Sequence, residues 1–205
     1  MTNSSHMRRH AVHAATAGYD GLYAAGIEEG GHPLDDDVTS MVLTPRIIEE
    51  VNLPVVTVGG MVNGKSLAAA LMLGAQGIMM ASRFMATKEC NIHENIKNEL
   101  IKRQEHETAL ICKSIHLQAR ALRNKNVEAV LQVEANGGGL EGILPLITGD
   151  RIAKAWETGD VDLAPMMVGQ SVGLIHDIPT VQELLDRMVQ EAVDRVKAVS
   201  AVIHS

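Results

Sequence analysis

Gly26-Ile27-Glu28-Glu29-Gly30-Gly31-His32 is the stretch whose residue types and spacing could do chemistry. Glycines let a backbone turn sharply and approach a bound molecule, and a histidine delivered by such a loop can exchange a proton near neutral pH. The five residues before it, GLYAA at 21–25, are small and apolar, as in a short strand buried on both faces. The histidine would then stand at a strand's carboxyl end, where barrels of parallel strands carry their active sites. Taken alone, His32 reads equally well as an exposed residue that finishes a glycine turn.

Two further strand ends offer backbone amides. Residues 53–58 (LPVVTV) read as a buried strand that stops at Gly59-Gly60, and residues 77–81 (GIMMA) as another that stops at Ser82-Arg83-Phe84. Small residues at neighbouring strand ends can hold a phosphate, as late strands of such barrels do; tight turns without a ligand are the alternative. The elements between them are helical. Residues 8–17 favour a helix stopped by Gly18, and Thr44-Pro45 reads as a helix entrance with a hydroxyl cap before a first-turn proline. Asn63 can cap a helix whose Leu67, Ala68, Leu71 and Met72 share a face, with Gly74 ending it. Strand, helix, strand, helix, strand with short turns is the pattern of parallel βα units, an α/β fold.

Beyond residue 87 the pattern changes to a mostly helical region. A charged helix is expected over 88–107, a short strand or extended segment over 108–115, a flexible break at Asn136-Gly137-Gly138-Gly139 and a short helix over 151–158. Thr180 and Glu183 form a capping box before a run with Val181, Leu184, Leu185, Met188, Val189, Ala192, Val193 and Val196 at helical spacing, read as a core-facing stripe. Residues 8–205 read as a single domain, with 8–87 as βα units and 88–205 as the helical region, behind a polar tail over 1–7 read as disordered.

Composition narrows the class. With 46% apolar and 21% charged residues the chain has the balance of a soluble globular protein, and a net charge of −7 with scattered basic residues argues against a nucleic-acid surface. Cys90 and Cys112 lack metal-ligand spacing and read as buried, reduced thiols, which fits the cytoplasm. No run is apolar enough for a membrane span or a signal-peptide core. Asp35-Asp36-Asp37 reads as a solvated loop, because three adjacent carboxylates cannot all face one ion; no metal site is expected.

The order of three segments is specific. GIEEGGH at 26–32, VVTVGGMVNGKSLAAALMLGAQGIMMASRF at 55–84 and VGQSVGLI at 168–175 resemble the nitronate monooxygenase family, also called 2-nitropropane dioxygenase-like, which includes FMN-dependent enoyl reductases of fatty-acid synthesis. The resemblance covers the chain from about residue 11 to 196. It implies an FMN-binding (β/α)₈ barrel, with His32 near the flavin as general base that takes the α-proton of an alkyl nitronate's parent or steadies the anion. It implies flavin-binding roles for Gly30 and Gly31 of the loop, for Gly59, Gly60, Ala81 and Ser82 as phosphate ligands, and for Gly169 and Gln170 as part of a segment near the flavin. The flavin would carry the redox chemistry while the protein positions it.

Two departures qualify the match. Ala81-Ser82 stands where the family has Gly-Thr; serine keeps a hydroxyl for the phosphate, whereas alanine adds a methyl where backbone comes close. Only three barrel strands are legible, against eight in a closed barrel. The chain is therefore expected to be the carboxyl-terminal part of a longer or split enzyme, completed by a homo-oligomer or a partner chain, or the product of a truncated gene. The expected substrate is a small molecule, a nitronate or an enoyl thioester. Nothing in the residues separates nitronate oxidation with O₂ from NAD(P)H-dependent enoyl reduction, and a non-catalytic half-barrel is the reading from another class.

Overall fold

A computed structural model describes residues 2–5 and 8–204. In chain order these form β1 (Thr2–Ser5), α1 (Arg8–Thr16), β2 (Gly21–Ala25), α2 (Ser40–Ile48), β3 (Val55–Val58), α3 (Gly64–Met72) and β4 (Gly77–Met79). There follow α4 (Ser82–Met85), α5 (Glu94–Leu100), β5 (Thr108–Ile111), β6 (Ala119–Leu122), α6 (Lys125–Ala135), α7 (Leu140–Ile143), α8 (Gly149–Thr158) and α9 (Val181–Ile203). The described residues divide into two compact units, 1–28 with 36–80 and 179–205, and 29–35 with 81–178, where the sequence led us to expect a single domain.

The first unit is a four-stranded sheet in the order β1-β2-β3-β4, parallel throughout. Leu22 pairs with Val55 and Ala25 with Val58, so β2 and β3 end level with each other. The sheet's face is covered by Ala11 and Ala14 of α1 and Leu43 and Ile47 of α2, packed on Leu22, Ala24 and Val55. Alanines allow these helices to lie close, which is how a chain with 2% aromatic residues fills a core. The parallel βα reading is thus correct, with one strand more than the three expected. That strand, β1, falls in the tail expected to be disordered: a parallel edge strand needs only backbone groups to pair, so its polar sequence gave no sign of it. Met1, His6 and Met7, the rest of that expected tail, lie outside the described residues.

Helix α2 begins a turn earlier than Thr44-Pro45 suggested. Its first amide, Ser40 N, donates to both carboxylate oxygens of Glu28 at 3.0 Å, and Ser40 Oγ donates to Glu28 Oε1 at 2.9 Å. A carboxylate from a distant loop supplies the cap, so Pro45 lies inside the helix and the Thr44 hydroxyl is free to pair with Thr57 Oγ1 at 3.1 Å. Two other caps match the sequence. Asn63 and Ser66 cap α3 reciprocally, and Thr180 and Glu183 do so for α9. Helix α9 packs on α3 and buries Leu184, Met188 and Ala192, but Leu185, Val189, Val193 and Val196 are 42–58% exposed. The eight-residue stripe is therefore only partly core. No helix among the described residues is long and apolar enough to cross a membrane.

The second unit departs further from the expected helical region. Its centre is an antiparallel pair, β5 with β6, in which Ala109, Ile111, Ala119 and Ala121 pack with Val127 and Val130 of α6 and Ile143 of α7. The helix expected over 88–107 shrinks to α5, begun by His93, whose Nδ1 accepts from Asn95 N at 3.1 Å. Strand β6 and helix α6 were not anticipated. Arg120 in the middle of β6 makes ARAL look exposed, yet the strand is buried along its length and Arg120 Nη1 donates to Thr108 Oγ1 at 3.1 Å.

Candidate active site

The loop that carries His32 belongs to the second unit and is stitched along β6. Gly31 exchanges both backbone hydrogen bonds with Arg120: Gly31 N donates at 3.1 Å, and Arg120 N donates to Gly31 O at 2.6 Å. One residue on, His32 Nδ1 lies 3.0 Å from the backbone oxygen of Gln118. A carbonyl oxygen can only accept, so this contact assigns the proton to Nδ1 and leaves the lone pair on Nε2. Next along, the buried Gln118 side chain donates from Nε2 to Leu34 O at 3.1 Å and to Pro33 O at 3.3 Å. Gly31, with φ of +91°, makes the turn that starts this run.

His32 is exposed and opens on a pocket of about 240 Å³. Pro33, Leu34, His116 and Leu117 share its wall with Asp35 and Gln118. The pocket thus joins two imidazoles to apolar side chains, a setting for proton transfer on a small, partly apolar molecule. His116 holds a left-handed backbone, φ 56°, at the end of the 3₁₀ turn Lys113–Ile115. Sequence reasoning missed Gln118 and His116. No motif or spacing marks either, and both become visible only when β6 brings them to the loop.

Other residues named from the sequence meet in the same unit. Gly30 lies against the backbone of Val168 and Gly169 so closely that a Cβ there would stand 2.6 Å from Gly169 N. Gly169 N in turn donates to Ser82 Oγ at 3.1 Å, in the buried first turn of α4. The structure therefore joins the three segments that carry the resemblance: Gly30 of the first, Ser82 of the second and Gly169 of the third. Gln170 follows as the first residue of the 3₁₀ turn Gln170–Leu174, and Ala81, just before α4, is exposed, so its methyl crowds nothing in this unit.

Gly59 and Gly60 lie in the first unit, where β3 ends. Both have left-handed backbones, φ of 88° and 74°. A Cβ on Gly60 would meet nothing nearer than Ser40 Oγ at 3.7 Å and Glu28 Oε1 at 3.8 Å, so its surroundings within the unit leave room for a bound group. The Glu28 carboxylate there is already engaged by Ser40. Ser82, whose oxygen accepts from Gly169, keeps its own hydroxyl proton to donate. Within the second unit that hydroxyl is a donor of the type a phosphate monoester, such as the end of FMN, needs. Among the described residues no three His, Cys, Asp or Glu side chains are placed to share a metal ion.

The parallel sheet of the first unit makes this an α/β protein, and the glycine loop of the second unit presents the His32 imidazole at a small pocket. The sequence profile of nitronate monooxygenase matches residues 4–191, and the chain belongs to that family. It is 28% identical, over 95% of its length, to (3aS,4S,5R,7aS)-5-hydroxy-7a-methyl-1-oxo-octahydro-1H-indene-4-carboxyl-CoA dehydrogenase of Rhodococcus jostii, of which it covers 65%. It is 30% identical, over 85% of its length, to a probable nitronate monooxygenase of Staphylococcus haemolyticus, of which it covers 51%. The solved structure of FabK from Thermotoga maritima superimposes with a TM-score of 0.91 at 29% identity, covering 98% of this chain and 63% of that one. The chain thus spans between half and two thirds of these relatives.

Proposed function

We propose that the chain is an FMN-dependent oxidoreductase of nitronate monooxygenase type that acts on alkyl nitronates with O₂ as oxidant. The observation that carries this reading is the His32 to Gln118 contact, which leaves Nε2 as the basic nitrogen of a histidine that lines a small pocket. In this reading the parallel strands of the first unit are part of a (β/α)₈ barrel. Gly59 and Gly60 of that unit, and Gly30, Gly31, Ala81, Ser82, Gly169 and Gln170 of the other, serve the flavin.

His32 Nε2 takes the proton from the carbon that bears the nitro group in the parent nitroalkane, or as imidazolium pairs with the nitronate anion. The positive charge that results is shared with the Gln118 carbonyl through Nδ1–H, which stabilises it. Leu34 and Leu117 offer apolar surface for the alkyl chain. FMN, when bound, supplies the electron acceptor for the oxidation and the means of passing electrons to O₂.

The likeness to FabK over 98% of the chain favours a second reading, an FMN-dependent enoyl-ACP reductase. Anaerobic stopped-flow mixing of the FMN-loaded chain with propyl nitronate, and separately with NADPH, chooses between them. Bleaching of the flavin bands by the nitronate supports the first reading. Bleaching by NADPH alone replaces it with the second.

A further inference from the structure

We propose that Gln118 is a positioning residue whose side chain fixes which nitrogen of His32 faces the pocket. The inference rests on the reading of His32 as a base and extends it to the group that sets its tautomer and aim. Gln118 grips the loop at three successive residues: its backbone carbonyl takes the His32 Nδ1 proton, and its side-chain amide, by donating to the carbonyls of Pro33 and Leu34, holds the loop so that this contact is kept. It is 8% exposed, so water competes poorly for these bonds.

The chemistry explains why glutamine stands there. Two carbonyl oxygens converge on one point, and a neutral primary amide answers both with two N–H donors and no charge. A carboxylate of the same shape has no donor and would repel both oxygens. Pro33 has no N–H, so the loop has one backbone donor fewer with which to hold itself in place. Without the clamp, residues 32–34 can lift from β6, and a neutral imidazole freed from the Gln118 carbonyl exchanges between its two tautomers. With it, Nδ1–H is held and Nε2 is the nitrogen presented.

The test uses the full chain with ¹⁵N-labelled histidine rings, the His32 signals being assigned with H32N, at a pH where the ring is neutral. Wild type is expected to show His32 Nδ1 as pyrrole-type and Nε2 as pyridine-type nitrogen; the opposite assignment overturns the proposal without recourse to any variant. In Gln118→Glu, folded by circular dichroism, the two signals are expected to move toward a common average. A single Nδ1–H tautomer persisting there would sink the clamp. Q118N, whose amide is one methylene too short to hold both carbonyls, provides the same comparison if Q118E does not fold. Nitronate turnover is read separately and is expected to fall about tenfold, the lower end for loss of an orienting partner. Averaged tautomers with undiminished turnover would leave the clamp standing and contradict His32 as the base.

Discussion

His32 and Gln118 are 86 residues apart in sequence and within hydrogen-bond distance in the fold. The histidine was legible because glycines and a buried strand precede it; the glutamine was not, since its role depends on a strand that the sequence hid. At this scale His32→Gln is expected to lower nitronate oxidation by about 10² to 10⁴-fold, the usual contribution of a general base. FMN affinity, measured by fluorescence quenching, should change little. His116 tests the pocket wall from the other side. Its left-handed backbone is strained for a residue with a Cβ. His116→Gly is therefore expected to raise stability in urea by up to about 1 kcal/mol, even with glycine's added freedom in the unfolded chain.

Helix ends show where local sequence suffices and where it does not. The caps of α3 and α9 lie within three residues of their partners and were read correctly, because such signals are local. The cap of α2 comes from Glu28, 12 residues away, and no local rule could supply it. Strand β6 was missed for a related reason, its buried Arg120 donating to Thr108 on the neighbouring strand. Thr180→Ala removes the hydroxyl that accepts Glu183 N and should cost about 1 kcal/mol in a thermal or urea unfolding assay. Gly64→Ala should cost more, about 1 to 3 kcal/mol. Its methyl would overlap Met188 O and Glu191 Cβ where α3 meets α9, and Gly64 N would be displaced from Glu191 Oε2, to which it donates at 2.9 Å.

At the scale of the whole chain, the parallel α/β character could be read from alternating strand and helix patterns, whereas the two units could not. Each is discontinuous in sequence, the first closing with α9 after the second has been completed. The cysteines bear on the chain as a whole because both are free thiols. Burial, with a smaller effect from the Glu134 carboxylate, pushes the Cys112 thiol up to about 11 from an ordinary value of 9.0. A raised value keeps the thiol protonated in the folded state at any pH below it. Iodoacetamide at pH 8 is thus expected to modify the half-buried Cys90 and to spare Cys112 until the chain unfolds, which peptide mass spectrometry resolves. Flavin binding is the property on which the functional account stands. Titrating the purified chain with FMN while recording its visible spectrum tests it most directly. The account predicts saturation near one flavin per chain, with shifted bands and weaker binding in Ser82→Ala. A free-flavin spectrum that stays unchanged as micromolar chain is added would contradict it.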